Sequence, residues 1–78
     1  MPMNCLSSLI NGLIVSNSTF EMESKLNSTK VQIWDSSPLI NGLVQDVVSF
    51  YSLESKAGPY YTTFESKYHG ITIIVYEN

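Results

Sequence analysis

The pentapeptide LINGL stands at Leu9–Leu13 and again at Leu39–Leu43, and each copy follows closely behind a pair of serines. Both copies lie in stretches where apolar residues recur three and four positions apart, which is the spacing of an amphipathic helix. Around the first copy this pattern runs from Leu6 to about Val15, where a Ser-Asn-Ser turn signal follows. The sequence therefore predicts two helices, the first of them short and dependent on packing.

The second helix has boundary signals at both ends. Ser37 can accept a hydrogen bond as an N-cap, and Pro38 suits the first helical position. A Gly-Pro pair at 58–59 is a strong signal for ending a helix. Together these residues predict a helix over roughly 38 to 56.

The glycine of each LINGL copy falls on the side of its helix that faces away from the apolar residues. Gly12 and Gly42 would each cost about 1 kcal/mol relative to alanine inside a helix. Two explanations remain open at this point. Either the smooth surface admits the backbone of a partner, or both glycines descend from one ancestral unit.

Each predicted helix is followed by two stretches in which apolar and polar residues alternate. After the first helix these are 20–23 and 31–34, and after the second they are 60–65 and 71–76, with a His-Gly pair at 69–70 as the turn. Alternation with a period of two, bounded by turn residues, is the signal of a β-hairpin. The sequence therefore predicts two hairpins.

The two halves also match in order. LINGL lies on LINGL, TFE at 19–21 lies on TFE at 63–65, and VQIWD near the end of the first half lies on IIVYE near the end of the second. We interpret this as a tandem αββ-αββ duplication within a single domain, 1–78, with pseudo-repeats of about 6–35 and 36–78.

Neither αββ unit can bury its apolar sheet face alone, whereas two units can pool their strands. The predicted fold is therefore α+β with two layers, a four-stranded antiparallel sheet that carries both helices on one face. The other face would remain open. Seven residues with the outward parity are the candidate protein-binding residues: Glu21, Glu23, Trp34, Tyr61, Glu65, Ile74 and Tyr76.

Large aromatic residues among carboxylates have the composition of a protein interface. Two other interpretations compete with this one. Tyrosine and threonine favour strands in any case, and a register error of one residue would invert the face. The regular glutamates could also imitate phosphates, bind a metal or serve as acid and base, although a solvated charge pattern is the simpler interpretation.

Composition narrows the function further. The chain has four lysines, seven acidic residues and no arginine, which argues against direct binding to nucleic acid. Its 44% apolar content is that of a folded domain, and its one cysteine, Cys5, cannot form an internal disulfide. Neither Cys5 nor His69 has a recognisable catalytic partner in the sequence, so we expect no enzyme activity, no metal and no cofactor.

Nothing in the sequence indicates a secretory signal or a membrane span, so a cytoplasmic location without membrane contact is expected. Asn17 and Asn27 begin glycosylation-like triplets that are taken as chance matches in a chain rich in serine and asparagine.

A small acidic chain without evident chemistry favours a non-catalytic interaction module. We expect an inhibitor or adaptor that binds a larger partner protein, analogous to the accessory proteins of phage or mobile elements that block host defence enzymes, such as anti-restriction and anti-CRISPR proteins. The alternative is a homo-oligomeric structural protein, with a homodimer as its simplest form. A small enzyme or a single-strand nucleic-acid binder is less favoured.

Overall fold

The computed structural model describes residues 5–35 and 37–77 and shows an α+β chain with a helix layer on a sheet. In order, the elements are α1 (Cys5–Val15), β1 (Phe20–Lys25), β2 (Ser28–Ile33), α2 (Pro38–Tyr51), β3 (Glu54–Ala57), β4 (Tyr61–Glu65) and β5 (Ile71–Tyr76). The predicted α+β class and the two predicted helices are confirmed. Neither helix within the described ranges is long and apolar enough to cross a membrane.

The sheet differs from the predicted one in strand number and in direction. Five strands follow the order β1-β2-β5-β4-β3, so that β5 is the central strand. β2 and β5 run parallel, while the other neighbouring strands run antiparallel. The predicted four-stranded antiparallel sheet is therefore wrong, and the sheet is five-stranded and mixed.

The additional strand, β3, comes from the segment that the sequence assigned to the end of the second helix. Helix α2 begins as predicted, since the Ser37 side chain accepts a hydrogen bond from the Ile40 N–H. It ends at Tyr51 because Ser52 adopts the left-handed conformation, with φ 55°. Leu53 then turns into the core, and the extended segment after it pairs with β4.

The parallel pairing of β2 with β5 also bears on the predicted duplication. With β2 and β5 pointing the same way, β1 lies on one flank of the pair and β4 on the other, while both helices lie on the same side of the sheet. The two αββ units are thus of opposite hand, and no rotation superimposes them. The structure does not confirm the tandem αββ-αββ duplication, although Val31 does pair with Ile73, its counterpart in the sequence alignment of the halves.

The core lies between the sheet and the two helices. Helix α1 lies beside Met22 and Thr29, and α2 lies beside Thr62, Phe64 and Val75. The strand pairings place these residues on one side of the sheet. The buried hydrophobic residues are Leu9, Leu13, Val31, Ile33, Ile40, Val44, Val47, Leu53, Phe64, Ile71 and Ile73.

The two LINGL glycines have different surroundings. A Cβ atom at Gly12 would collide with the Leu43 side chain of α2, whereas a Cβ atom at Gly42 would meet open space. Gly12 therefore faces the neighbouring helix, contrary to the expectation that it faces outward, and its missing side chain lets α1 and α2 approach closely. Nothing in the structure explains the glycine at 42.

This difference predicts opposite responses to alanine. Gly42→Ala should raise the free energy of unfolding by about 0.5–1 kcal/mol, because alanine is the better helix former and its methyl group meets no neighbour. Gly12→Ala should gain less than this or lose stability, since its methyl group must displace Leu43. Urea unfolding followed by circular dichroism measures both variants. Equal stabilisation by the two changes would contradict the close contact.

Candidate functional site: the open sheet face

We define the outer face as the side of the sheet opposite α1 and α2. No described element covers it. The strand pairings place six of the seven candidate residues on this face. The seventh, Trp34, follows the end of β2 and joins them through its ring, which stacks on that of Tyr76. The parity of the predicted face is therefore correct. The seven candidate residues are Glu21, Glu23, Trp34, Tyr61, Glu65, Ile74 and Tyr76.

Three of these residues form an aromatic row across one end of the sheet. The rings of Trp34 and Tyr76 are stacked, with centroids 4.8 Å apart and planes 2° from parallel. The Tyr61 ring follows, 5.6 Å from that of Tyr76. The Tyr76 hydroxyl donates to the Gln32 Oε1 atom at 2.8 Å, which fixes the middle ring. The row is ordered by these contacts; Tyr61 at its end is 42% exposed, while Trp34 and Tyr76 are half-buried.

Beyond the aromatic row, two further rows of side chains cross the outer face: a middle row and then a charged row. Ile74 of β5 is the centre of the middle row, which reads Glu21, Gln32, Ile74, Thr63 and Lys56 from β1 to β3. The charged row reads Glu23, Lys30, Thr72, Glu65 and Glu54 in the same direction. The outer face is therefore apolar at one end and charged at the other.

The outer face carries no net charge. Its acidic residues are Glu21, Glu23, Glu54 and Glu65, and all four lysines of the chain lie on it or at its rim: Lys25, Lys30, Lys56 and Lys67. A charge-balanced face does not resemble a run of phosphates, so the acidic-mimic hypothesis is not supported.

Two ion pairs lie at the charged end. The Lys67 Nζ atom is 2.9 Å from Glu54 Oε1, and the Lys25 Nζ atom is 3.7 Å from Glu23 Oε1. The hydrogen bond and the negative charge of Glu54 raise the pKa of Lys67. Both pairs are well exposed and contribute little to folding stability. Their effect is to neutralise the two corners of the face.

The sequence did not identify Lys30, Glu54 and Lys56 as candidate residues. The last two were assigned to the end of α2, where they would not have reached the sheet. A signal was present in the triplet ESK, which occurs at 23–25, 54–56 and 65–67. At each occurrence the first residue is a glutamate of the charged row. The repeated triplet thus marks one end of the outer face.

Hydrogen bonds hold the segment that carries Trp34 to the start of β1 and to the start of α2. The Trp34 N–H donates to the Thr19 carbonyl oxygen at 3.0 Å. The next residue, Asp35, accepts hydrogen bonds from the Ser18 hydroxyl and from the Ser37 N–H. These two bonds, the first more than the second, lower the pKa of Asp35. The carboxylate therefore joins the start of β1 to the start of α2 beside the aromatic row.

The remaining chemical candidates lie apart from the outer face. The His69 ring contacts Tyr51 edge to face, with centroids 5.4 Å apart, and of the predicted turn pair only Gly70 has a positive φ. Cys5 lines a shallow apolar groove between the helices with Phe50 and Leu43. In the described part of the chain, no group of three or more His, Cys, Asp or Glu side chains is arranged to hold a metal ion.

No protein-family model matches the chain, and comparison with curated proteins and with solved structures found no significant match.

Asp35→Asn should lower the stability at pH 7 because the amide keeps the shape but loses the charge that strengthens both hydrogen bonds. The pKa of Asp35 is lowered in the folded state, so its contribution is fully present above the ordinary value of 3.8 and is lost as the pH falls through the lowered value. Wild type and variant should therefore converge in acid. Thermal unfolding at several pH values measures this, and a constant difference from pH 7 to acid would contradict it.

Proposed function

We propose that this chain is a non-catalytic protein-interaction module that docks through its outer face. The observation that carries the proposal is the aromatic row of Trp34, Tyr76 and Tyr61 on a face that no described element covers. Tyrosine and tryptophan are the residues that most often anchor protein interfaces, because they bury large area with few rotatable bonds.

The order of the aromatic row, whose Tyr61 and Tyr76 belong to regular strands, adds a second reason. The rings are ordered by stacking and by the Tyr76–Gln32 hydrogen bond before any partner arrives. A preordered surface loses less conformational entropy on binding than a flexible one. Ile74 extends the apolar area toward the middle of the face, and the charged row supplies a polar rim.

The inhibitor or adaptor role expected from the sequence would use this same face. A larger protein held by the outer face would be blocked over about the width of the sheet. Such blocking needs shape and charge complementarity but no catalytic residue.

Site-specific photo-cross-linking tests the proposal. A photoreactive phenylalanine analogue replaces Tyr61 on the outer face or, as the matched control, Phe50 on the helix layer, which is 55% exposed. In the cells that make the protein, the Tyr61 position should form a protein adduct and the Phe50 position should not.

The same experiment with Trp34→Ala should lower the adduct yield about tenfold or more, because the largest aromatic side chain of the row is removed. Far-UV circular dichroism should remain unchanged, since Trp34 is not a core residue. Adducts formed at Phe50 alone, or a yield that Trp34→Ala does not change, would contradict docking through the outer face.

A further inference from the structure

The balance of charge on the outer face indicates what occupies it. The face carries four glutamates and four lysines, whereas the net charge of −3 resides on Asp35, Asp46 and Glu77, outside it. Two copies of the whole chain repel each other weakly, but two outer faces do not. We propose that the partner of the outer face is a second copy of this chain, docked face to face about a two-fold axis parallel to β5. This inference rests on the proposed function.

The sheet has the geometry that such an axis requires. β5 is the central strand, with β2 and β1 on one side and β4 and β3 on the other. A half turn about an axis along β5 places β2 against β4 of the second copy and β1 against β3, and it keeps each transverse row opposite the same row. Packed sheets of this kind stand about 10 Å apart, with strands aligned to within about 30°.

In this arrangement the apolar ends of the two faces meet. Trp34 lies opposite the second copy's Tyr61, while Tyr76 and Ile74 each lie opposite their own counterparts on the axis. The aromatic row is thus self-complementary. Such isologous contacts are the usual basis of a homodimer.

The charges are self-complementary under the same operation. Lys30 of β2 lies opposite Glu65 of β4, and Glu21 of β1 lies opposite Lys56 of β3. Each of these pairs occurs twice because the axis is two-fold.

Only the corners bring like charges together, Glu23 opposite Glu54. Each of these glutamates already has its own lysine, Lys25 and Lys67 respectively. Repulsion at the corners is therefore reduced before the faces meet.

The alternative two-fold axis, perpendicular to the strands, is disfavoured. It would leave every strand opposite itself and exchange the two outer rows. Glu21 would then face Glu21, Lys56 would face Lys56, and Trp34 would face Lys30. Like charges would meet in the middle row, and the aromatic row would lie on charged residues.

The size of the face sets the expected strength. Five strands of about five residues cover roughly 24 Å by 18 Å. That is roughly 430 Å² per copy and about 860 Å² for the pair, which is below the standard range of specific interfaces and within that of weak, transient ones, so the dimer should be reversible and depend on concentration.

Sedimentation equilibrium from about 1 µM to about 1 mM tests the pairing, a range that brackets the affinities of small interfaces. The variants are Lys30→Glu and Glu65→Lys, each of which places like charges opposite each other twice. Wild type should dimerise, and each variant alone should associate at least about tenfold more weakly than wild type. An equimolar mixture should dimerise again, because the new glutamate of one variant faces the new lysine of the other.

Asp46→Lys is the matched control, since this exposed change on α2 alters the net charge by the same amount as Glu65→Lys. If only the net charge mattered, Asp46→Lys and Glu65→Lys would both associate at least as well as wild type. The specific pairing predicts that Glu65→Lys associates more weakly and Asp46→Lys does not. If circular dichroism shows that Lys30→Glu or Glu65→Lys does not fold, Glu21→Lys and Lys56→Glu repeat the mixing test on the edge strands.

A monomeric wild type over the whole range, or a mixture of folded variants that associates no better than either alone, would overturn the self-pairing. A monomer whose Tyr61 position still cross-links to a different protein would overturn the self-pairing while leaving the proposed function in place.

Discussion

Two helices shield one side of a five-stranded sheet, and this asymmetry determines the role of every strand residue. Because side chains alternate along a strand, the residues that pair with Val31 and Ile73 turn toward the helices, and their neighbours turn outward. Apolar side chains on the shielded side build the core. On the unshielded side the same alternation collects Tyr61, Tyr76, Ile74 and the lysines of the strands, and Trp34 and Lys67 join them just beyond the strand ends. The candidate site is thus a consequence of how the core forms.

Local patterns in the sequence predicted much of this fold, while long-range contacts determined the rest. The helix around Leu9–Leu13 and the start of α2 at Pro38 followed from apolar spacing and capping. The end of α2 did not, because Glu54–Ala57 consists of residues that a helix accepts readily, and only the burial of Leu53 and pairing with β4 make this segment a strand. Local patterns could not predict the strand order either. A period of two determines which face of the sheet a residue lies on, but it does not determine which strands pair with each other.

The candidate site was predictable to a similar extent. Alternation correctly brought Trp34, Tyr61 and Tyr76 to one face, but their arrangement as a stacked row depends on the register between strands. The charge balance of the outer face could not be predicted from the sequence either, because Lys56 belongs to β3, a strand that the sequence did not indicate. A face that looked acidic from the sequence is neutral in the structure, which changes the partner it suits from a basic surface to one of mixed charge, such as its own copy.

The most direct test of docking through the outer face uses Trp34, which is the one tryptophan of the chain and therefore reports on this face alone. Its emission maximum and its quenching by acrylamide are measured while the protein concentration is raised through the range used for sedimentation. Docking of the aromatic row predicts emission at shorter wavelength and weaker quenching as dimer forms. Dimer formation with unchanged emission and quenching would contradict the account, because the contact would then lie on another surface.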